Sequence, residues 1–314
     1  MKKIILRLFL SVILFNSCNK DSDEGILDNC QSDLVFDSTR GDCNYSLSID
    51  PIFTMITNKN NRVIISNSIP NHMVGIFGQG PGSLNPNTIM EQSETYTITT
   101  NPVMNGFFTP LLNISESNPG PEYSFGLLLN GVELDPVAAE PFPHSGNLLD
   151  VNNNWVWNKE ALNVNIGLDC NNAHVQPNGK YHYHATPTLY LENNISNDSM
   201  YLIGYAADGF PIYYKYAYSE ANNSNSTIEI MTSSYRLKSG NRPGDGITAP
   251  CDEYSGVYSN DYEYVSGLGT LDEANGRIGV TPDYPSGTYY YIITDNFPGI
   301  PRYFKGTPSI DFKL

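Results

Sequence analysis

The chain has 314 residues, 40% of them hydrophobic, with 22 tyrosines and 13 phenylalanines, which suffices for one large packed core or two small ones. A formal net charge of −16 opposes nucleic acid and anionic lipid as partners, and excludes the first outright. The 26 glycines and 21 prolines, set among many Asn and Ser, point to frequent turns and little long helix.

The chain starts with Met1-Lys2-Lys3 and continues with an apolar run, Ile4 to Phe15, interrupted only by Arg7 and Ser11. That run is too short to anchor a membrane span, so residues 1–17 read as a secretory signal peptide. It ends in Leu14-Phe15-Asn16-Ser17-Cys18, which resembles a lipobox; the resemblance implies cleavage before Cys18 and a lipid on its thiol. An ordinary signal peptide followed by an incidental cysteine is the competing reading. The acidic stretch Asn19 to Glu24 then looks like the tether of an outer-membrane or cell-surface lipoprotein, with a periplasm-facing placement equally open. Loss of residues 1–17 removes Lys2, Lys3 and Arg7 and no acid, leaving 14 basic groups against 33 acidic ones, or −19.

Four cysteines follow Cys18: Cys30, Cys43, Cys170 and Cys251. An even number in an oxidising compartment reads as two disulfides. The expected pairs are Cys30–Cys43, a short loop closing the tether region 18–44, and Cys170–Cys251. Cys170 lies four residues before His174, so a thiolate metal ligand there is the alternative.

From residue 45 onward, short runs rich in Val, Ile, Tyr and Thr alternate with turn clusters. "RVIISNSIP", "ETYTITT", "SFGLLLNGVEL", "NVNIGL", "KYHYHA", "MYLIGYA", "FPIYYKYAY" and "TYYYIIT" all read as strands. Asn130-Gly131 between two of them signals a hairpin. No stretch carries a 3.6-residue apolar period long enough for a substantial helix. The predicted fold is mainly β: a single β-rich domain over residues 45–314, built of hairpins, sandwich-like or more irregular.

The richest segment is "NNAHVQPNGKYHYHATP", which holds three of the five histidines. On a strand, residues i and i+2 share a face, so His182 and His184 project together and Tyr181 and Tyr183 project the other way. Pro177-Asn178-Gly179 suits a three-residue hairpin loop, with proline presetting φ and Gly accepting a positive φ. That loop pairs Gln176 with Lys180, and therefore His174 with His182 on one face. A two-residue loop would set His174 against Tyr183 instead. Three co-facial imidazoles can converge on one ion, and a set with few thiolates suits zinc or copper, with nickel and iron as further options. A polar layer of hydrogen-bonded histidines is the structural alternative.

With these residues in view, the chain resembles the YHYH-domain family, after Tyr181-His182-Tyr183-His184. The resemblance extends through "NHMVGIFGQGPGSLNPNTI", "SFGLLLNGVELDP", "LDCNNAHVQPNGKYHYHATP", "LIGYAADGFPIY", "YRLKSGNRP", "DYEYVSGLGTLDEANGR" and "GTYYYIITDNFPGIPRYFKGTP", most of residues 65–310. It implies an extracytoplasmic domain and supplies no activity. Family members tend to carry cysteine at the positions of Ala274 and Tyr303, which implies a disulfide lost in this chain. The family motif also has a histidine at His72, which makes it a candidate further ligand beside its reading as a turn residue. Asp208, in an Asp-Gly turn, is a candidate ligand or histidine-orienting acceptor, and Asp169, Asp261 and Glu263 invite the same readings. His144, in a proline-flanked loop, could cap the site.

No phosphate loop, serine elbow or HExxH helix is present in the sequence. The functional classes left open are a metal-binding module, a metal-dependent hydrolase or oxidoreductase using an open coordination position, and a structural, adhesion or glycan-binding module. Any small-molecule or glycan partner is unspecified.

Overall fold

Strands form where the alternation of the sequence gives one face to the interior. In Asn61–Ser66 (β2), Arg62, Ile64 and Ser66 are buried while the residues between them are not. This strand lies between Phe53–Thr57 (β1) and Glu94–Thr99 (β3) in a three-stranded antiparallel sheet. The computed structural model describes residues 30, 34–115, 117–192 and 195–314. The signal peptide, Cys18 and most of the acidic tether lie outside the described residues.

The body is an eight-stranded mixed sheet. Its strands are Gly126–Leu128 (β4), Glu133–Leu134 (β5), Ala173–Val175 (β6), Tyr181–Tyr183 (β7), Leu202–Ala206 (β8), Pro211–Tyr214 (β9), Gly276–Gly279 (β10) and Thr288–Ile293 (β11). Their spatial order is β6-β7-β5-β4-β8-β9-β11-β10. Five two-stranded ribbons surround this sheet and the three-stranded one. The mainly β, hairpin-built class therefore holds, in its irregular form. Among the described residues the α-helix is a single short segment, Thr188–Glu192.

The hairpin expected at Asn130-Gly131 joins β4 to β5, with Gly131 at φ 82° and its N–H donated to Leu128. "NVNIGL" is not a strand: residues 163–168 run as turns and irregular chain. Gly167 bends the segment at φ 77°, and a Cβ there would sit 2.1 Å from the Leu84 carbonyl oxygen. "FPIYYKYAY" is divided at Lys215, φ 26°, where the chain leaves the large sheet and pairs Tyr216–Tyr218 with Ile228–Ile230.

Both disulfides connect other partners than those expected from the sequence. Cys30 is joined to Cys251 and Cys43 to Cys170, with Cα separations of 5.4 and 5.6 Å. The reason lies in the path of residues 34–45, which do not close on themselves. Asp37 donates its N–H to Asn163, Gly41 donates to Leu168 and bridges Asp169, and Tyr45 exchanges hydrogen bonds with Val74. This extended docking carries Cys43 to the base of β6. Cys170 is thereby removed from the candidate ligands. Ala274 and Tyr303, where the family resemblance places cysteines, instead pack into the main core.

Peptide mapping without reduction is expected to recover Cys30–Cys251 and Cys43–Cys170. In the chain-entropy picture a crosslink over 127 residues stabilises by roughly 4–5 kcal/mol, so a Cys43→Ala, Cys170→Ala double variant should unfold at clearly lower denaturant.

Candidate metal centre

Hairpin closure determines where every side chain of β6 and β7 points. Gln176 N–H donates to Lys180 O at 3.0 Å and Gly179 N–H to Gln176 O at 2.8 Å, closing a three-residue loop. Gly179 sits at φ 88°, and a Cβ there would meet the Met90 side chain at 2.5 Å, so glycine is required on both grounds. Asn178 Oδ1 accepts from Lys180 N–H. The resulting register pairs His174 with His182, Val175 with Tyr181 and Ala173 with Tyr183, as the loop length predicts. His184 N–H extends the ladder to Asn172 O at 2.8 Å.

On one face, three imidazoles converge. His182 Nε2 and His184 Nε2 are 3.0 Å apart, and His184 Nε2 and His174 Nε2 are 3.1 Å apart. Four ligands around zinc at about 2.0–2.1 Å would be spaced about 3.3–3.4 Å from one another, within a few tenths of an ångström of these two separations; all three ligand atoms lie within 4.8 Å of one another. Each ring turns its other nitrogen toward the backbone. His174 Nδ1 meets Ile166 O at 3.0 Å, His182 Nδ1 faces Lys180 O at 3.4 Å, and His184 Nδ1 is turned toward the Pro136 carbonyl without a well-formed hydrogen bond. The Pro136 carbonyl also accepts from Arg302, whose guanidinium is paired with Glu160.

The carbonyls at Nδ1 of His174 and His182 favour the tautomer that carries its proton there, which directs those two Nε2 lone pairs inward. Burial lowers the proton affinity of all three rings, and for His182 and His184 the neighbouring imidazoles lower it further. His174 and His182 then direct Nε2 lone pairs at the central His184 Nε2, a set of neutral rings that a shared cation would satisfy. Among the described residues, His174, His182 and His184 are the group of potential ligands that could hold a metal ion.

The other sequence candidates lie elsewhere. His72 is on the opposite face of the hairpin: its Nε2 meets Tyr183 Oη at 2.6 Å and its Nδ1 meets Met73 O at 2.9 Å. It supports the tyrosine layer because Tyr183 points away from the histidines. Asp208 accepts from Tyr291 Oη, Gly306 N–H and Phe210 N–H, which makes it a turn anchor far along the sheet from β6 and β7. Neither belongs to the cluster, and neither is retained as a ligand. Asp169 is buried under Gly75 N–H, Asn171 N–H and the Tyr181 hydroxyl, so it organises the base of the hairpin. Asp261 receives two hydrogen bonds from Arg242, and Glu263 pairs with Arg236. His144 packs between Phe142 and Tyr258 and does not cap the cluster.

The sequence reading missed Asp135 and Gln176. Asp135 N–H bonds to Tyr183 O, and its Oδ2 accepts from Gln176 Nε2 at 3.1 Å. The only sequence signal for Gln176 was its place as the residue that closes the loop.

Fold and cluster together define a disulfide-linked β domain that presents three histidines from one hairpin. The chain belongs to the YHYH protein family: the family model of that description matches residues 95–306, about two thirds of the chain. The hairpin lies inside the matched span, and the Gly/Pro-rich stretch at 71–89 lies before it. No curated protein and no solved structure gives a significant match.

The tyrosine face yields a test that is independent of any ion. Tyr181→Phe deprives the buried Asp169 carboxylate of one donor and should destabilise the fold by about 1–3 kcal/mol in urea titration.

Proposed function

We propose that this protein is an extracytoplasmic, lipid-anchored module that binds one transition-metal ion, zinc or copper, through His174, His182 and His184. The observation that carries the reading is the convergence of three Nε2 atoms, successive pairs 3.0 and 3.1 Å apart, from a hairpin that pairs His174 with His182. A purely structural histidine layer would need donors facing acceptors. Here the Nδ1 atoms of His174 and His182 are directed at backbone carbonyls, so their inward nitrogens are acceptors aimed at His184 Nε2. When bound, the ion would supply a Lewis-acid or redox centre. The protein's part is to hold three neutral imidazoles in place and keep their tautomer fixed.

Purified mature protein is expected to contain one equivalent of metal by elemental analysis. His182→Ala and His184→Ala should each abolish tight binding, because two remaining imidazoles hold zinc or copper poorly. Unchanged metal content in the double variant would remove the proposal.

The anchor rests on Lys2-Lys3, the apolar run and the small residue before Cys18. The two disulfides fit an oxidising compartment, in keeping with export. A Cys18→Ala variant should leave the membrane fraction; retention as firm as wild type would refute lipidation.

A further inference from the structure

The three imidazoles line an open cleft. His174, His182 and His184 bound a cavity of about 710 Å³, together with Asp135, Gln176 and Glu140. That volume falls in the range of small-molecule sites. Three protein ligands leave at least one coordination position for water or substrate, the pattern of catalytic rather than structural zinc.

Asp135 is the unusual group in this cleft. Its side chain is 96% buried, since the residue keeps only 4% of its exposure, and Oδ1 has no hydrogen-bond partner among the described residues. An unpaired buried polar atom costs about 1–3 kcal/mol, which is a reason to look for its missing partner. Gln176 fixes the other oxygen, and the backbone N–H of Asp135 is tied to Tyr183 O on the ligand-bearing strand. The carboxyl is therefore held in register with His182 and His184. Burial, followed by the nearby Glu133, raises its pKa to about 8, so both oxygens are acceptors only above that pH. The only lysine lining the cleft, Lys180, is already paired with Glu94 and Glu133. Glu140 adds another acid, in a chain of net charge −16, so the surroundings disfavour anions.

We propose that the metal's free position faces this cleft and accepts a small neutral or cationic molecule through one oxygen or nitrogen, while an O–H or N–H of that molecule donates to the Asp135 carboxyl. The proposal rests on the three-histidine metal reading and adds Asp135 as the residue that positions the bound molecule. It names a class of ligand: polar, uncharged or positive, with a lone pair for the ion and a proton to donate.

The test uses cobalt(II)-loaded mature protein at a pH above the Asp135 pKa of about 8, with cobalt content measured in every sample. Imidazole, which has both a ligating nitrogen and an N–H, is compared with 1-methylimidazole, which has no N–H. Both are titrated by the visible absorption of the cobalt centre. Wild type is expected to bind imidazole about tenfold more tightly than its methylated form. Asp135→Leu should bring that ratio close to one with cobalt content unchanged. Asp135→Asn, which keeps the shape and one acceptor oxygen, should keep most of the preference and shows whether the site tolerates substitution.

Cobalt uptake without any spectral response to imidazole, or an equal response to both probes in wild type, overturns the Asp135 proposal alone. So does an undiminished preference in Asp135→Leu. A wild-type chain that takes up no cobalt overturns the metal reading and this proposal with it.

Discussion

The hydrogen bond from Gln176 to Lys180, with the Gly179 turn it encloses, is the constraint on which the site depends. Side chains on a strand alternate with a period of two, so slippage by one residue would exchange every histidine with a tyrosine. In the observed register the histidines share one face and the tyrosines the other. A slipped hairpin would bury imidazoles in the apolar core and turn two phenols into the cleft. The three-residue loop at Pro177-Asn178-Gly179 sets the register, and the packing of Met90 against Gly179 supports it.

The opposite face holds the hairpin in position. Tyr181 and Tyr183 are fully buried in the main core, and each phenol has a polar partner: Asp169 for Tyr181, and His72 with Asn130 for Tyr183. Asn171 connects this layer to the Met73 carbonyl and the Cys43 sulfur, and accepts the N–H of Leu189. The Cys43–Cys170 disulfide attaches the same turn to the docked N-terminal segment. Hydrophobic burial, hydrogen bonds and a covalent link thus converge on residues 169–175, the turn before β6 and the strand itself. The imidazoles are positioned by what lies behind them.

Much of the site could be read from the sequence because it is local. Loop type, register and face follow from Pro177-Asn178-Gly179 and the alternation after it, and the structure agrees with each. The β class was legible for a related reason, since Val, Ile, Thr and Tyr runs between turn clusters leave few alternatives. Long-range matters were not legible. Cysteine pairing depends on how residues 34–45 dock, which involves partners more than a hundred residues away, such as Asn163 and Leu168. His72 and Asp208 have ligand-capable side chains, and only the fold shows that one faces the tyrosines and the other a separate turn. Asp135 was overlooked because a carboxylate after a short strand carries no local signature. Its role comes from the parallel pairing of β5 with β7.

That parallel pairing also explains how one side of a sheet can combine ligands and a cleft wall. β7 is bonded to β6 on one side through the hairpin and to β5 on the other, with His182 aligned to Glu133 and Tyr183 to Leu134. The chain leaving β5 then runs through Asp135 and Pro136, so backbone pairing to Tyr183 brings the Asp135 side chain to the same cleft as His184 and the Pro136 carbonyl near that ring. Arg302 and Glu160 brace the Pro136 carbonyl from the far side. Backbone carbonyls and buried ion pairs cannot rotate away as exposed side chains can, so the imidazoles meet a rigid frame. A frame of this kind reduces the ordering required when an ion binds. It also limits how far the three nitrogens can spread, so any ion the cluster could hold would have to suit the spacing of the strands.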